Sequence, residues 1–213
     1  MIRRLLRDCG PDDGITLIEM VVAMTLMAIF MSMFSAALFQ VYDTVKRSDS
    51  TTVVQSQINV AFLHLDRDIR YASALTPPGP GSGANTADSY VEYMTVGAST
   101  TCTQLRLHLS GGLPGTLQSR TWTLGNTPGS TWSILASGVT ATPNTTVFTV
   151  SNADAVSNFE RLEVVLTTQS GTGTSQASRP TDITFTALNS RPVLDRTTNT
   201  LTPPDGSGCV LGR

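Results

Sequence analysis

The sequence predicts an α+β fold in which a long N-terminal helix, first transmembrane and then amphipathic, packs on an antiparallel β-sheet head. Three features of the hydrophobic pattern predict it. They are an uncharged apolar run over residues 20–39, an apolar stripe at helical spacing after it, and an alternation with a period near two beyond residue 89. The chain has 213 residues, which is room for one domain with an appendage.

Composition narrows the classes of function. Charged residues make up 14% of the chain and the formal net charge is -2, whereas an ordinary soluble domain carries about 25% charged residues. The composition therefore argues against disorder driven by charge repulsion, and the chain offers no general attraction for polyanions. Binding of nucleic acid would need a local basic patch, and the sequence does not support one.

Residues 1–14, with the sequence MIRRLLRDCGPDDG, are predicted to be a cleaved leader peptide. Arg3, Arg4 and Arg7 of this segment outweigh Lys46 and Arg47 on the far side of the apolar run. The positive-inside rule therefore places the N-terminus in the cytoplasm. The head is then expected outside the cytoplasmic membrane, in the periplasm or the cell-wall space.

Residues 15–42 are predicted to form a transmembrane and assembly helix. The uncharged run over residues 20–39 would make about 30 Å of helix, enough to cross the apolar core of a bilayer. Two alternatives remain. One is a buried core helix, although cores seldom need about twenty apolar residues covering every face. The other is a cleaved secretory signal, whose apolar region usually has about 7 to 15 residues.

An acidic side chain lies at the edge of this apolar segment. The junction reads, in order, Gly14, Ile15, Thr16, Leu17, Ile18 and Glu19. An unpaired carboxylate in such a place is costly, so Glu19 is expected to have a partner. Cleavage after Gly14 would create a positive amino group on Ile15, and the Glu19 of one chain could then pair with the amine of another. Alternatively, Glu19 is an interfacial residue that reaches the lipid headgroups.

This junction, placed before a long apolar helix, resembles the processing site of type IV pilins and of the pseudopilins of type II secretion. The resemblance implies a pilin-like fold, cleavage after Gly14 by a membrane prepilin peptidase, methylation of the new N-terminus at Ile15, and docking of the subunit into a filament guided by Glu19. The intervening residues of the implied assembly segment are Thr16, Leu17 and Ile18. Two features depart from the family pattern. Ile15 stands where phenylalanine is commonest, and Asp12 and Asp13 stand where basic residues are usual.

Residues 43–76 are predicted to continue the helix as an amphipathic segment, to about Leu75. The apolar stripe consists of Val54, Ile58, Ala61, Leu65, Ile69 and Ala72. A break is conceivable at residues 48–52, because consecutive Ser, Asp and Thr favour caps over helix interiors. The Pro- and Gly-rich linker at 77–89 ends the helix.

Residues 90–213 are predicted to form the β-rich head. The candidate strands are 90–96, 104–109, 120–124, 132–135, 146–150, 161–167 and 182–187, each bounded by Gly, Pro, Ser or Asn. Short connections without intervening helices predict antiparallel pairing. Leu105 and Leu107 alternate with Arg106 and His108, which predicts one core face and one more exposed face. The Gly-, Thr- and Ser-rich stretch at 170–178 is interpreted as a hairpin or surface loop.

A second, weaker resemblance concerns the kind of subunit. Residues 62–72, FLHLDRDIRYA, are similar to the end of the helix in W-type minor pilins and J-type pseudopilins. This resemblance implies a low-abundance subunit that initiates or caps the filament at its tip. Glu19 argues against the one tip subunit that usually lacks this acid. Ala36 stands where major pilins often carry a helix-bending proline.

The cysteines agree with an exported head. Cys9 belongs to the leader, so Cys102 and Cys209 would remain on the outside. A disulfide between them would close a loop of roughly 100 residues, stabilising the fold by up to about 4.7 kcal/mol in the chain-entropy model. The alternative is two separate free thiols.

The sequence does not predict an enzyme. His64 and His108 belong to no recognisable nucleophile or metal motif, and Asp195 and Asp205 are weak evidence for calcium. No cofactor and no metal are assigned. The prediction is a minor pilin or pseudopilin subunit whose partners are the prepilin peptidase, other subunits, the assembly platform and the cytoplasmic membrane. A membrane-anchored module that binds DNA or a surface ligand is the alternative.

Overall fold

The computed structural model describes residues 15–81, 87–109, 114–153, 157–170, 177–190, 193–195, 200–202 and 209. The predicted leader, including Gly14, lies outside these residues, as do residues 82–86 of the predicted linker. The chain divides into two compact units, an N-terminal unit of residues 1–46 and a head unit of residues 47–213. The α+β fold predicted from the sequence is confirmed, because one long helix accompanies a large antiparallel sheet.

One helix and eleven strands make up the described structure. Helix α1 spans Leu17–Arg70. The strands are β1 (Ala72–Leu75), β2 (Gly79–Pro80), β3 (Ser89–Val96), β4 (Thr100–His108), β5 (Gly115–Thr123), β6 (Ser133–Ala141), β7 (Phe148–Ser151), β8 (Glu160–Ser170), β9 (Ala177–Ala187), β10 (Val193–Asp195) and β11 (Thr200–Thr202).

In the N-terminal unit, α1 exposes its whole apolar surface. Every described residue from 15 to 46 is exposed, and Leu17, for instance, is 83% exposed. Among the described residues, α1 is the helix that is long and apolar enough to cross a membrane, and none of its most apolar stretch is buried. Water is a poor solvent for such a surface, so this unit is built for lipid or for other helices.

The helix continues through the segment where a break was conceivable. The hydroxyls of Thr51 and Thr52 donate to the carbonyl oxygens of Arg47 and Ser48 at 2.8 and 2.9 Å. Ser50 similarly donates to Arg47 at 3.0 Å. These side chains therefore bond to the preceding turn, so they do not compete with the helical backbone.

The head unit contains a nine-stranded antiparallel sheet. Its strands follow the order β1, β3, β4, β5, β6 and β8, with β2 beside β3. Strand β8 pairs with three other strands. Strands β6 and β7 pair with successive parts of one edge, and β9 pairs with the other edge over its whole length. The last residues of β8 pair with the first of β9, as expected for the hairpin interpretation of residues 170–178. Strands β10 and β11 form a separate pair.

The hydrophobic core lies between the head part of α1 and one face of the sheet. Four of the six residues of the predicted stripe, Ile58, Ala61, Leu65 and Ile69, are buried residues of the helix, and Val54 is half-buried. Phe62, which the stripe omitted, meets Phe185 of β9 edge to face at 5.9 Å between ring centroids. The sheet contributes Val91, Tyr93, Leu105, Leu107, Leu117, Val139, Phe148, Leu162, Val164 and Leu166 to the same cluster.

The helix ends earlier than the sequence predicts. It stops at Arg70, and the next residues form strand β1, although the prediction extended the helix to about Leu75. Strand β1 pairs with β3, and the carbonyl oxygen of Arg70 accepts a hydrogen bond from Leu188 N–H at 3.1 Å. Tertiary pairing thus overrides the helix propensity of Ala and Leu in this segment.

The second face of the sheet is more exposed than the core face at Arg106 and His108, which are half-buried, as the alternation predicts, but its centre is covered. Glu92 and Gln104 are both 0% exposed, and Gln118 is buried as well. Trp132 lies over this face, with the guanidinium carbons of Arg106 and Arg120 at 3.9 and 4.3 Å from its ring centroid. Cation–π stacking therefore helps to cover the polar layer at the centre of this face.

Candidate functional site

The start of α1 carries the residues that the sequence singles out. Ile15 and Thr16 precede the helix, which begins at Leu17. The carbonyl oxygen of Thr16 accepts hydrogen bonds from Glu19 N–H and Met20 N–H at 3.1 and 3.2 Å. The Thr16 hydroxyl also accepts from Glu19 N–H at 3.3 Å. Thr16 is therefore the N-cap of the helix.

Glu19 lies three residues after this cap, in the first turn. Threonine followed by glutamate at this spacing is the capping-box pattern. A negative charge in the first turn also interacts favourably with the helix dipole, typically by about 0.3 to 1 kcal/mol. Within the described part of the chain, the Glu19 carboxylate has no ion pair or side-chain hydrogen bond. It is thus placed to meet a cation that the described chain does not supply.

The surroundings of Glu19 are apolar and open. Ile15 is 71% exposed, and Leu17 and Ile18 are exposed to a similar degree. An anion among exposed apolar side chains would lose its hydration when this surface is buried in lipid or against other helices. A matching positive charge on the partner would offset that loss, which is the arrangement that the sequence pattern predicts.

The same segment matches a known family. Residues 12–35 match the family model described as the prokaryotic N-terminal methylation motif. This match supports a type IV pilin-like family. It includes the junction at Gly14 and the first part of the apolar run, and it does not extend into the head unit. Neither the comparison with curated proteins nor that with solved structures found a match.

The motif has consequences for the class of protein. It is typical of structural pilin-type proteins that a prepilin peptidase processes and that assemble with other subunits. Together with the long apolar helix, it fits anchoring in a membrane. The minor subtype inferred from residues 62–72 is a finer statement that the match does not address.

The head unit contains the disulfide that the sequence predicts as one of two alternatives. The sulfurs of Cys102 and Cys209 are bonded, with 5.5 Å between the two Cα atoms. Cys102 lies on β4, and both cysteines pack with Trp122 and the partly buried Met94. The bond therefore attaches a residue near the C-terminus to the second face of the sheet.

The two histidines have structural partners. His64 Nδ1 lies 3.2 Å from a carboxylate oxygen of Asp68 on the next turn of α1. His108 Nδ1 lies 2.9 Å from the carboxylate of Asp88, which also accepts from Leu109 N–H at 3.0 Å. Searched over the described residues, the structure has no group of three or more His, Cys, Asp or Glu side chains that could hold a metal ion.

Buried polar residues on the second face were not foreseen. Glu92 accepts from Gln104 Nε2 at 2.6 Å and from the Thr76 hydroxyl at 2.8 Å, while Arg120 Nε donates to Gln104 Oε1 at 2.7 Å. Burial lowers the pKa of Arg120 from its ordinary value, with a further contribution from nearby Arg106. No short sequence motif predicts such a network. The available signal was the alternation of polar residues on β3, β4 and β5.

Tyr93 links this sheet to the end of α1. Burial is the main reason why its pKa lies well above the ordinary value, and the negative charge of Asp68 raises it further. Asp68 of α1 therefore interacts with Tyr93 of β3.

Proposed function

We propose that this protein is a minor pilin or pseudopilin subunit. A prepilin peptidase cleaves it after Gly14, Ile15 becomes the methylated N-terminus, and the subunit helps to initiate or cap a type IV pilus-like filament. The observation that carries the proposal is the match to the methylation motif over residues 12–35, a span that includes Gly14, Ile15 and Glu19.

The exposed apolar helix supports an assembly role. Apolar contacts with lipid can be replaced by contacts with other helices, so that the subunit leaves the bilayer without exposing this surface to water. Residues 15–42 form the assembly helix in this proposal, with Thr16, Leu17 and Ile18 at its leading end. The head then lies on the outer side of the cytoplasmic membrane, and the assembly platform acts on the membrane-bound subunit.

Glu19 is proposed to select the axial position of the subunit. Its carboxylate is free within the described residues, and the proposed cleavage creates an amine four residues away in the sequence. Pairing between the Glu19 of an entering subunit and the Ile15 amine of its neighbour neutralises both charges in an apolar setting. Helices that are apolar on every face have few other features that fix their offset.

Substitutions at Glu19 test this role. Glu19→Gln removes the charge with little change in size, and we expect processed protein to accumulate in the membrane with about tenfold less in the sheared filament fraction. Glu19→Asp should retain part of the wild-type amount. Quantitative immunoblotting of both fractions measures the ratio.

Thr25→Val is the matched control, because Thr25 lies in the same apolar helix and its hydroxyl only donates to the carbonyl oxygen of Val22. Its partition between membrane and filament should equal that of the wild type. Entry of Glu19→Gln into filaments at the wild-type level would contradict the proposed role of the charge.

A further inference from the structure

Among the described residues, strand β9 has one edge that pairs with no other strand. One edge of β8 pairs with β6 and β7, and its other edge pairs with β9 through eleven consecutive residue pairs. In the described part of the chain, no strand pairs with the second edge of β9. Such an edge presents unpaired backbone donors and acceptors, which another extended chain can use.

The chemistry of β9 shows which backbone groups face this edge. Pro180 is opposite Thr167 and has no N–H, so an intact ladder requires its nitrogen to point away from β8. The Val165 N–H donates to the carbonyl oxygen of Val147, which places this group of β8 on the side away from β9. Asp182 is opposite Val165, so the N–H of Asp182 also points away from β8. By the two-residue period, Thr184 and Thr186 do the same.

This part of β9 lacks the usual protection of an edge. Natural edge strands carry lysine, proline or β-bulges that prevent further pairing. Residues 182–186 contain neither lysine nor proline, and the register with β8 has no shift along its length. Asp182 is the single charge there. The side chains of Asp182 and Thr184 are exposed, and that of Thr186 is half-buried.

A groove of about 360 Å³ lies between residues 179–182 of β9, at one end of this segment, and the head part of α1. It is lined by Gln55, Ile58, Asn59, Thr168 and residues 179–182. The side-chain amides of Gln55 and Asn59 make no hydrogen bond with the described residues. A strand added to β9 would direct alternate side chains towards this groove, where hydroxyl or amide groups could satisfy these two amides.

We infer that residues 182–186 of β9 accept an extended segment of a different subunit of the filament as an additional β-strand. This inference rests on the proposed function. The added segment carries no acidic residue opposite Asp182, because like charges directly across a sheet are destabilising. It carries hydroxyl or amide side chains towards Gln55 and Asn59.

A second copy of this chain fits the edge poorly. Antiparallel pairing of β9 with β9 has a two-fold axis perpendicular to the sheet, so the head parts of α1, which pack on the sheet face, would point in opposite directions. A filament that repeats its subunits head to tail has no such two-fold axis. Strand β1, at the other end of the sheet, is also engaged: Leu75 N–H donates to Glu160 Oε2 at 2.8 Å.

Amide hydrogen exchange on the full-length protein tests the inference. Exchange is compared between native membranes that contain the assembled filament and the same protein purified alone in detergent. We expect the N–H groups of Asp182, Thr184 and Thr186 to exchange at least about tenfold more slowly in the membranes, whereas those of Ile183 and Phe185 are protected in both samples. Equal exchange in the two samples would overturn the inference.

Thr184→Pro removes one outward N–H in the way that Pro180 already does. It should abolish the added protection at Asp182 and Thr186 while the thermal unfolding of the protein stays unchanged. Thr184→Val, which keeps the amide, should retain the protection. If Thr184→Pro retains full protection at both amides, strand addition is overturned.

Thr184→Cys distinguishes the partner. Self-pairing centred on this residue would bring two introduced thiols together, so an oxidised dimer of this variant overturns the inference, and a monomer is expected. The N-terminus of the same sample separates the two proposals. If it begins at methylated Ile15 while the edge amides remain fast, only the strand addition fails; if it still carries the leader, the proposed function fails.

Discussion

At the scale of single residues, the buried Glu160 connects several elements of the head through hydrogen bonds. The side chain is 1% exposed, and its Oε2 accepts from Leu75 N–H of β1 at 2.8 Å. Its own N–H donates to the Ser190 hydroxyl at 2.8 Å. Burial raises the pKa of the Glu160 carboxyl, and the bond from Leu75 partly opposes this. One buried acid thus connects β1, β8 and the turn after β9.

The raised pKa predicts a pH dependence of stability. Because the folded protein binds this proton more tightly than the unfolded chain, the contribution of Glu160 to stability improves as the pH falls from above the folded pKa towards the ordinary value near 4.5. Glu160→Gln keeps an oxygen that accepts from Leu75 and removes the charge. It should raise the free energy of unfolding at pH 7 by roughly 1 kcal/mol, with a smaller gain at pH 5.

Urea unfolding of wild type and variant at both pH values measures this. Glu163→Gln, at a half-buried position of the same strand, corrects for the loss of one negative charge. A gain for Glu160→Gln that is larger at pH 5 than at pH 7 would show that the sign is wrong.

At the scale of elements, the sequence predicts the existence of strands better than their limits. All seven candidate strands are found as β3 to β9, and most extend beyond the predicted bounds. The strand residues that lie outside the predicted bounds, such as Thr100 to Thr103 of β4, pair with β3 and β5. A single sequence does not show which strands will pair. Strand β1 was missed for the same reason. The helical stripe was reliable because its period is local.

The N-terminal motif could be predicted from the sequence, whereas the edge of β9 and the polar layer around Glu92 could not. The spacing from Gly14 to Glu19 is local, so the motif could be found without a structure. The open edge of β9 depends on the order of strands, and the layer around Glu92 depends on Trp132 folding back over two arginines. Neither is encoded in a short pattern.

The stripe on α1 predicts the energetics of the helix. Leu65 is 1% exposed in the core, whereas Leu63, two residues earlier on the same helix, is 73% exposed. Leu65→Ala should lower the free energy of unfolding by about 2 to 5 kcal/mol, because it removes buried methyl groups and leaves a cavity. Leu63→Ala should change it by less than about 0.5 kcal/mol. Denaturant unfolding compares the two, and equal losses would contradict the packing of this face against the sheet.

At the scale of the whole molecule, the two units differ in how much of their surface is buried. The N-terminal unit has no buried residue among those described and is suited to lipid or helix packing, whereas the head unit carries the core and the disulfide. The head is therefore the part whose stability can be measured as a folded domain. An oxidising compartment outside the cytoplasmic membrane would allow its disulfide to persist.

The disulfide predicts a large effect of reduction. Cys102 and Cys209 are 107 residues apart in the sequence, and closing a loop of about this size stabilises a fold by about 4.7 kcal/mol in the chain-entropy model. Reduction of the wild type, or substitution of both cysteines by alanine, should lower the free energy of unfolding by up to this amount. The double variant serves as the control, since reductant should leave it unchanged. Identical stability of the oxidised and reduced wild type would contradict the prediction.

The N-terminal peptide of the protein from its own membranes tests the central claim most directly. Lys46 is the only lysine, and no arginine lies between Arg7 and Lys46, so trypsin releases residues 15–46 from a processed chain and residues 8–46 from an unprocessed one. Mass spectrometry should find residues 15–46 with one methyl group on the Ile15 amine, and should find residues 8–46 when the prepilin peptidase is deleted. Residues 8–46 in cells that contain the peptidase, or a chain cut after the apolar run, would contradict the account and favour an ordinary anchored or secreted binding module.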